Sequence, residues 1–407
     1  MSISGPDVQP STEATLLPRL VEEIERQIET AVELRERLHR IAEPSNAEHE
    51  TARMLGDALA PREIVPLDGA GFFTRLGDPG EPAVVVRAEL DALPIVEQTG
   101  APFAADKGYM HACGHDTHMA ALTAVVHACK QLEHILPAPL VALFQPSEEA
   151  YPSGAKVIAD RISDLGPIGA IVAAHVHPDV PWQSVAADEG TVNACVDNVA
   201  ISVTGRAGHA AYPHQARDPV VALSQIVVNL QQIVSRRVDP MRSVAVTISR
   251  LRAGDTENVI ASGAEASGTI RTLDPEDRAT VVELVKAITQ HVAQACGCEA
   301  TVTVTEGEPA VVNDALLARH VRHALVRTGF SLPAPMRSCG SDDFGFYGQL
   351  VPSMLVFVGL AGSPGWQGVP LHHPSFLPPA DAVLGVAKTQ AAAYVGAAAA
   401  LGREVWE

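Results

Sequence analysis

Four short polar islands carry the side chains most able to do chemistry. They are His111-Ala-Cys113-Gly-His115-Asp116, Gln145-Pro-Ser-Glu148-Glu149, His175-Val-His177-Pro178 and Leu371-His372-His373-Pro374. Thiolate, imidazole and carboxylate together are the ligand set of zinc-type ions. Two adjacent carboxylates, Glu148 and Glu149, let one side chain bind a cation while the other moves a proton. Each island admits a plainer reading. A lone Cys-Gly-His is weak evidence, and a Glu-Glu pair by itself reads as solvated charge. The context argues otherwise, because Glu148-Glu149 follows Pro146 at the end of an apolar run. Carboxylates crowded at a buried strand end repel unless a cation is present. Gly114 permits a bend that could turn Cys113 and His115 to one point, and Asp116 could cap a following helix. Residues two apart on a strand share a face, so both His175 and His177 could reach a metal. Spacing chooses neither between these two nor between His372 and His373.

The islands need elements to position them. Apolar runs at 83–88, 139–144 and 169–174 read as buried strands and alternate with helical stretches such as 119–132. Such alternation predicts an α/β domain with a largely parallel sheet. Ligands bind beyond the carboxyl ends of strands in sheets of this kind, and the islands follow strand ends. Residues 18–39 read as one helix. In the middle of the chain the order changes to strand 199–204, helix 219–235, strand 243–251, strand 265–273, helix 275–295 and strand 299–305. That βαββαβ order is a ferredoxin-like unit. The expected organisation is a catalytic domain in two parts, 1–190 and 306–407, interrupted by an inserted lid or dimerisation domain at 191–305.

Bulk properties narrow the function. The chain has 407 residues, 47% of them hydrophobic, enough for two cored domains. A net charge of −19 argues against nucleic acid or an anionic membrane as partner. No run reaches the roughly 18 apolar residues of a membrane span, and the Ala-rich stretch 391–401 reads as a packed helix. The first 15 residues read as a polar leader without a secretory core. Six scattered cysteines fit a reduced, cytoplasmic protein. Cys296-Gly-Cys298 is a weak redox pattern and reads better as two ordinary thiols.

The order of the islands resembles the M20 family of dinuclear metallo-amidohydrolases, in its aminoacylase, hippurate hydrolase and indole-acetyl-amino-acid hydrolase branch. The resemblance runs from about Arg35 to the C-terminal helix. It implies a zinc-exopeptidase-like α/β/α catalytic domain holding two divalent ions per subunit, as zinc, manganese, cobalt or nickel. It implies Cys113, His115, Glu149, His175 and His372 as ligands, Glu148 as the base and Asp91, in Arg87-Ala-Glu89-Leu-Asp91, as orienter of a ligand. In Gly205-Arg-Ala-Gly208-His209, His209 would reach the reaction centre, often from the other subunit. Asn258 and Arg271 would hold a substrate carboxylate. Gly340-Ser-Asp342-Asp343-Phe344 would line the site.

The implied reaction is hydrolysis of an N-acyl amino acid by a metal-bridged water. Glu148 moves the proton, and a metal and His209 stabilise the oxyanion. A homodimer or higher homo-oligomer and a closing motion about hinges near Gly190 and Glu306 are also implied. Departures from the family pattern include Glu89 for Asp, Asp342 for Glu and Ala42 for Pro. The competing readings are a dipeptidase or carboxypeptidase on the same scaffold, a non-catalytic metal protein, and a thiol enzyme using Cys113 with His115 as base.

Overall fold

The computed structural model describes residues 16–402. It divides into two compact units. Among the described residues, the first comprises 16–190, 312–336 and 346–402, and the second comprises 191–311 and 337–345.

The first unit opens with helices α1 (Leu16–Arg26), α2 (Ile28–Ile41) and α3 (His49–Leu59). The single helix expected over 18–39 is broken at Gln27, which has φ −119° and ψ 12°. Its side-chain amide donates to the carbonyls of Glu23 and Ala124, so a tertiary contact is made where the helix breaks. Strands β1 (Val65–Pro66), β2 (Phe72–Leu76) and β3 (Ala83–Glu89) follow, then α4 (His115–Gln131), β4 (Leu140–Gln145), α5 (Gly154–Ala159), β5 (Ile168–Pro181) and β6 (Val185–Ala186).

The second unit holds β7 (Cys195–Thr204), β8 (Gly208–His209), α6 (Pro219–Gln232), β9 (Val244–Ala253), β10 (Val259–Ile260), β11 (Gly263–Thr272), α7 (Pro275–Ala295) and β12 (Glu299–Glu306). Its four long strands form an antiparallel sheet in the order β9-β11-β7-β12, the ferredoxin-like arrangement. Two Asp-Pro pairs start its helices. Asp218 accepts hydrogen bonds from Val220 and Val221, and Asp274 accepts one from Glu276, while Pro219 and Pro275 occupy the first helical position. Strand β7 alternates buried and exposed residues along most of its length, as a sheet covered on one face requires.

The chain then returns to the first unit with α8 (Ala315–Arg327), β13 (Ser353–Ala361) and α9 (Asp381–Ala400). The resulting seven-stranded sheet runs β1-β2-β4-β3-β5-β13-β6. The central strands β4, β3, β5 and β13 are mutually parallel, and the flanking ones are antiparallel. Every residue of β3 and β4 is buried, which explains their unbroken apolar runs. Helices α4 and α9 are buried nearly throughout, with Ala and Gly allowing close packing. No described helix is long and apolar enough to cross a membrane.

Candidate metal centre

The second island leaves a parallel strand at its carboxyl end, the third lies within one, the first leads into α4, and the fourth is a loop tied back to the first. Strand β3 ends at Glu89 and delivers Asp91. Strand β4 ends at Gln145 and delivers Glu148 and Glu149. Strand β5 extends past the expected end, carrying His175 and His177 within it. The backbone N–H of His372 donates to the carbonyl of Ala112 at 2.9 Å. Two non-glycine residues here adopt the left-handed region, Ser147 at φ 53° and His372 at φ 63°. Such strain persists where surrounding structure imposes it and concentrates at functional sites. Gly114, at φ 91°, precedes α4, and a Cβ there would lie 2.5 Å from Val176 Cγ2. The position therefore admits only glycine, for both dihedral and space.

These backbone placements gather the donors. Cys113 Sγ lies 3.4 Å from His175 Nε2. His372 Nε2 lies 3.4 Å from Glu149 Oε1, and His115 Nε2 lies 4.0 Å from Glu148 Oε2. Among the described residues, three of the groups whose ligand atoms all lie within 4.8 Å of one another are drawn from the islands alone: Cys113, His115 and His175; Cys113, Glu149 and His372; and His115, Glu148 and Glu149. Cys113 is shared by the first two. Each imidazole is oriented by its other nitrogen. His115 Nδ1 donates to the Asp91 carbonyl at 2.9 Å, and His175 Nδ1 donates to the Val176 carbonyl at 2.7 Å. Both Nε2 atoms therefore face the cluster, and each presents a lone pair when its ring is neutral, the form metal-binding histidines need.

Asp91 ties the site together. Its Oδ2 accepts from the Glu149 N–H at 2.9 Å and from Ser45 Oγ at 2.7 Å. The doubtful pairs separate by geometry. His177 Nδ1 accepts from the Asp179 N–H, and His373 Nδ1 accepts from the Ser375 N–H, so each neighbour closes a local turn.

The donors fit a cation. His115 Nε2 and Glu149 Oε1 are buried with no hydrogen-bond partner, and such atoms are costly unless something binds them. Burial pushes the Cys113 thiol well above its ordinary value, and the charges of Glu149, Glu148 and Glu89 add to this. A nucleophilic cysteine needs the opposite shift, so the thiol-enzyme reading loses its support. A cation would reverse the shift by holding the thiolate. Burial lowers the affinity of His115 for a proton, but the Asp91 hydrogen bond and the charges of Glu89, Asp91 and Glu149 outweigh it and raise its pKa to about 10. His175 is shifted the other way, far down, by burial and by His118.

The second unit holds the remaining candidates. Strands β8 and β10 pair so that His209 lies opposite Val259, and the carbonyl of Asn258 accepts from the Ala210 N–H at 3.1 Å. His209 and Asn258 are thus brought together. Its side chain is exposed and its Nδ1 accepts from the Ala211 N–H. Arg271, on β11, donates to the carbonyl of Cys339 at 3.0 Å. That bond joins the strand to the 337–345 segment bearing Asp342 and Asp343.

The four residues Arg87, Glu89, His118 and Gln145 form a buried network beneath the cluster, and sequence reading gave them no role. The signal was present: a charged pair, Arg87 and Glu89, inside an apolar strand, and His118 three residues after His115, on the same face of a helix.

A parallel α/β sheet presenting sulfur, nitrogen and oxygen donors around its strand ends marks an α/β domain equipped to bind metal. Residues 85–394 match the model of peptidase family M20/M25/M40, and the chain belongs to that family. N-acetyl-L-cysteine deacetylase of Bacillus subtilis is 36% identical over 348 residues, covering 84% of this chain and 82% of the relative. N-acetyldiaminopimelate deacetylase of Halalkalibacterium halodurans is 34% identical, covering 81% and 90%. Among solved structures, a dinuclear metal binding peptidase of the M20 family from Bacillus subtilis is 30% identical with a TM-score of 0.80, covering 93% of this chain and 99% of that one.

Proposed function

We propose that this chain is a metal-dependent amidohydrolase that cleaves N-acyl amino acids to a carboxylic acid and a free amino acid. The observation that carries the reading is the buried donor cluster, with Glu148 beside its ligand candidates and two of its polar atoms unpartnered. The names of the two deacetylase relatives support the substrate class. Cys113, His115, Glu149, His175 and His372 would hold two divalent ions, of the zinc, manganese, cobalt or nickel kind. Bound there, the ions would supply Lewis acidity and a water of lowered pKa. Glu148, partly open to solvent and 4.0 Å from His115, takes the proton of the attacking water and returns it to the leaving amine. Asp91 holds the His115 ring and the Glu149 backbone. Arg271 and Asn258 take the substrate carboxylate, and His209 donates to the oxyanion.

Residues 191–305 act as a lid and dimerisation domain between the two parts of the catalytic domain. Support for a homodimer comes from Val221 and Val228, 52% and 67% exposed on α6, and from the unpaired edge of β9. Six free cysteines support a cytoplasmic location.

The test is hydrolysis of N-acetyl, N-benzoyl and aminoacyl amino acids, with and without chelator and metal add-back. Release from N-acyl substrates that chelation stops and a divalent ion restores is expected. Release from dipeptides alone would replace this reading with the peptidase one.

A further inference from the structure

Glu89 and His118 are buried and lie outside the proposed ligand set, and His118 meets one of its members, His175, both ring to ring and through the backbone of Val176. His118 Nδ1 lies 2.9 Å from Glu89 Oε2, and the Val176 N–H points at His118 Nε2 at 3.0 Å. The tautomer follows from the partners. A carboxylate only accepts, so Nδ1 carries the proton; a backbone N–H only donates, so Nε2 accepts. Glu89 is itself anchored by Arg87, whose Nε donates to Gln145 Oε1 at 2.9 Å, and Tyr347 donates to the same oxygen at 2.8 Å. The carbonyl of Val176 accepts from His175 Nδ1. Residue 176 is therefore gripped on both sides, its N–H by His118 and its carbonyl by His175. The His118 and His175 rings meet edge to face with centroids 4.6 Å apart.

Glu89, His118 and His175 also have ligand atoms within 4.8 Å of one another, which raises the question of a further cation site. The hydrogen bonds answer it. His118 has one nitrogen protonated toward Glu89 and the lone pair of the other spent on Val176, so it has nothing to offer a cation.

We infer that Glu89 and His118 are positioning residues: the carboxylate sets the His118 tautomer, His118 fixes the backbone of Val176 through its N–H, and the carbonyl of that same residue sets the ring of His175. The role rests on the divalent-ion reading above. It makes a selective prediction. His175 groups with Cys113 and His115 and not with Glu149 and His372, so disturbing it weakens one ion and spares the other. Glu89 serves both partners with its two oxygens, Oε1 toward Arg87 and Oε2 toward His118.

The experiment is calorimetric titration of the chelator-stripped full chain with Zn(II), together with the absorption spectrum of its Co(II) form and its melting temperature. His118→Leu keeps bulk and removes both hydrogen bonds. One of two ions should bind about 10–100-fold more weakly, with the other unchanged and the thiolate-to-cobalt band of Cys113 altered. His118→Gln, whose amide oxygen can accept from Val176, should recover affinity to within about three-fold of wild type. A merely structural role would weaken both ions and melting together in both variants, and that result overturns the inference.

Unchanged binding of both ions in His118→Leu overturns it as well. Should that variant fail to fold, Glu89→Gln takes its place. Its amide can donate to Nδ1 and release the opposite tautomer, so the same ion should weaken and the His118 nitrogen NMR shifts should exchange; unaltered affinity and shifts overturn the role. A wild-type chain that binds no divalent ion overturns the metal reading and the positioning role with it. Two ions bound equally in wild type and variants overturns the positioning role alone.

Discussion

The two units present their candidate groups in opposite ways. In the first, Cys113, His115 and His175 are 7%, 1% and 6% exposed, the two imidazoles are held by backbone carbonyls, and of the proposed ligands only His372 is exposed. In the second, His209 is exposed on a two-residue strand, and Arg271 lies toward the surface and donates to the Cys339 carbonyl. Burial preorganises donors at the cost of desolvation, which a cation can offset. Exposed groups carry no such cost and are suited to meeting a substrate that arrives from water. The contrast fits the proposed division, with ions held at the sheet of the first unit and substrate met by the α+β unit.

The sharpest way to break this division is at the base. Glu148→Gln should lower kcat by about 10²–10⁴-fold with ion content unchanged by elemental analysis. An active variant would remove the first unit's claim to the chemistry. On the other side, Arg271→Ala should raise KM more than it lowers kcat, with kcat/KM down by about 10–100-fold, as loss of a charged hydrogen bond of roughly 1.5–3 kcal/mol implies. A kcat effect with KM intact would mean that Arg271 does not hold the carboxylate.

The stability of the first unit should respond to acid through Asp116, the residue after His115. Its burial favours the neutral form, but Arg35 Nε at 2.6 Å and His39 Nδ1 at 2.9 Å hold its pKa far below the ordinary value. A depressed folded-state pKa contributes stability that is present above the unfolded value of about 3.9 and is lost as pH falls below it. Asp116→Asn should therefore be less stable at pH 7 and show a flatter loss between about pH 5 and pH 2 in denaturant titrations. An equally steep acid limb would place the sensitivity elsewhere. The smallest effects belong to the neighbours that close local turns. His177→Ala and His373→Ala should each change kcat/KM by less than about three-fold, a difference below 1 kcal/mol. A large loss at either would mean that the ligand pair had been split wrongly.

Much of this was legible in the chain. The parallel strands showed as apolar runs because burial on both faces removes the need for polar residues. The ferredoxin-like order showed because a sheet covered on one face alternates. The islands showed because Cys, His and paired carboxylates beside such runs are hard to explain without a ligand. Other features were not legible. The break at Gln27 depends on a carbonyl of Ala124, nearly a hundred residues away. The extension of β5 through His177 depends on pairing with β13, where Phe357 lies opposite His175.

Composition and spacing alone determined the fold class, the donor types and the places where they occur, because periodicity and burial are local properties of a chain. Only tertiary structure decided how the nitrogens of His115 and His118 are engaged, and which member of each histidine pair faces the cluster. Those choices depend largely on single hydrogen bonds with groups distant in sequence, the Asp91 carbonyl, the Ala112 carbonyl and the Glu89 carboxylate. A hydrogen bond is set by a few tenths of an ångström and an angle, and no pattern along one dimension encodes that.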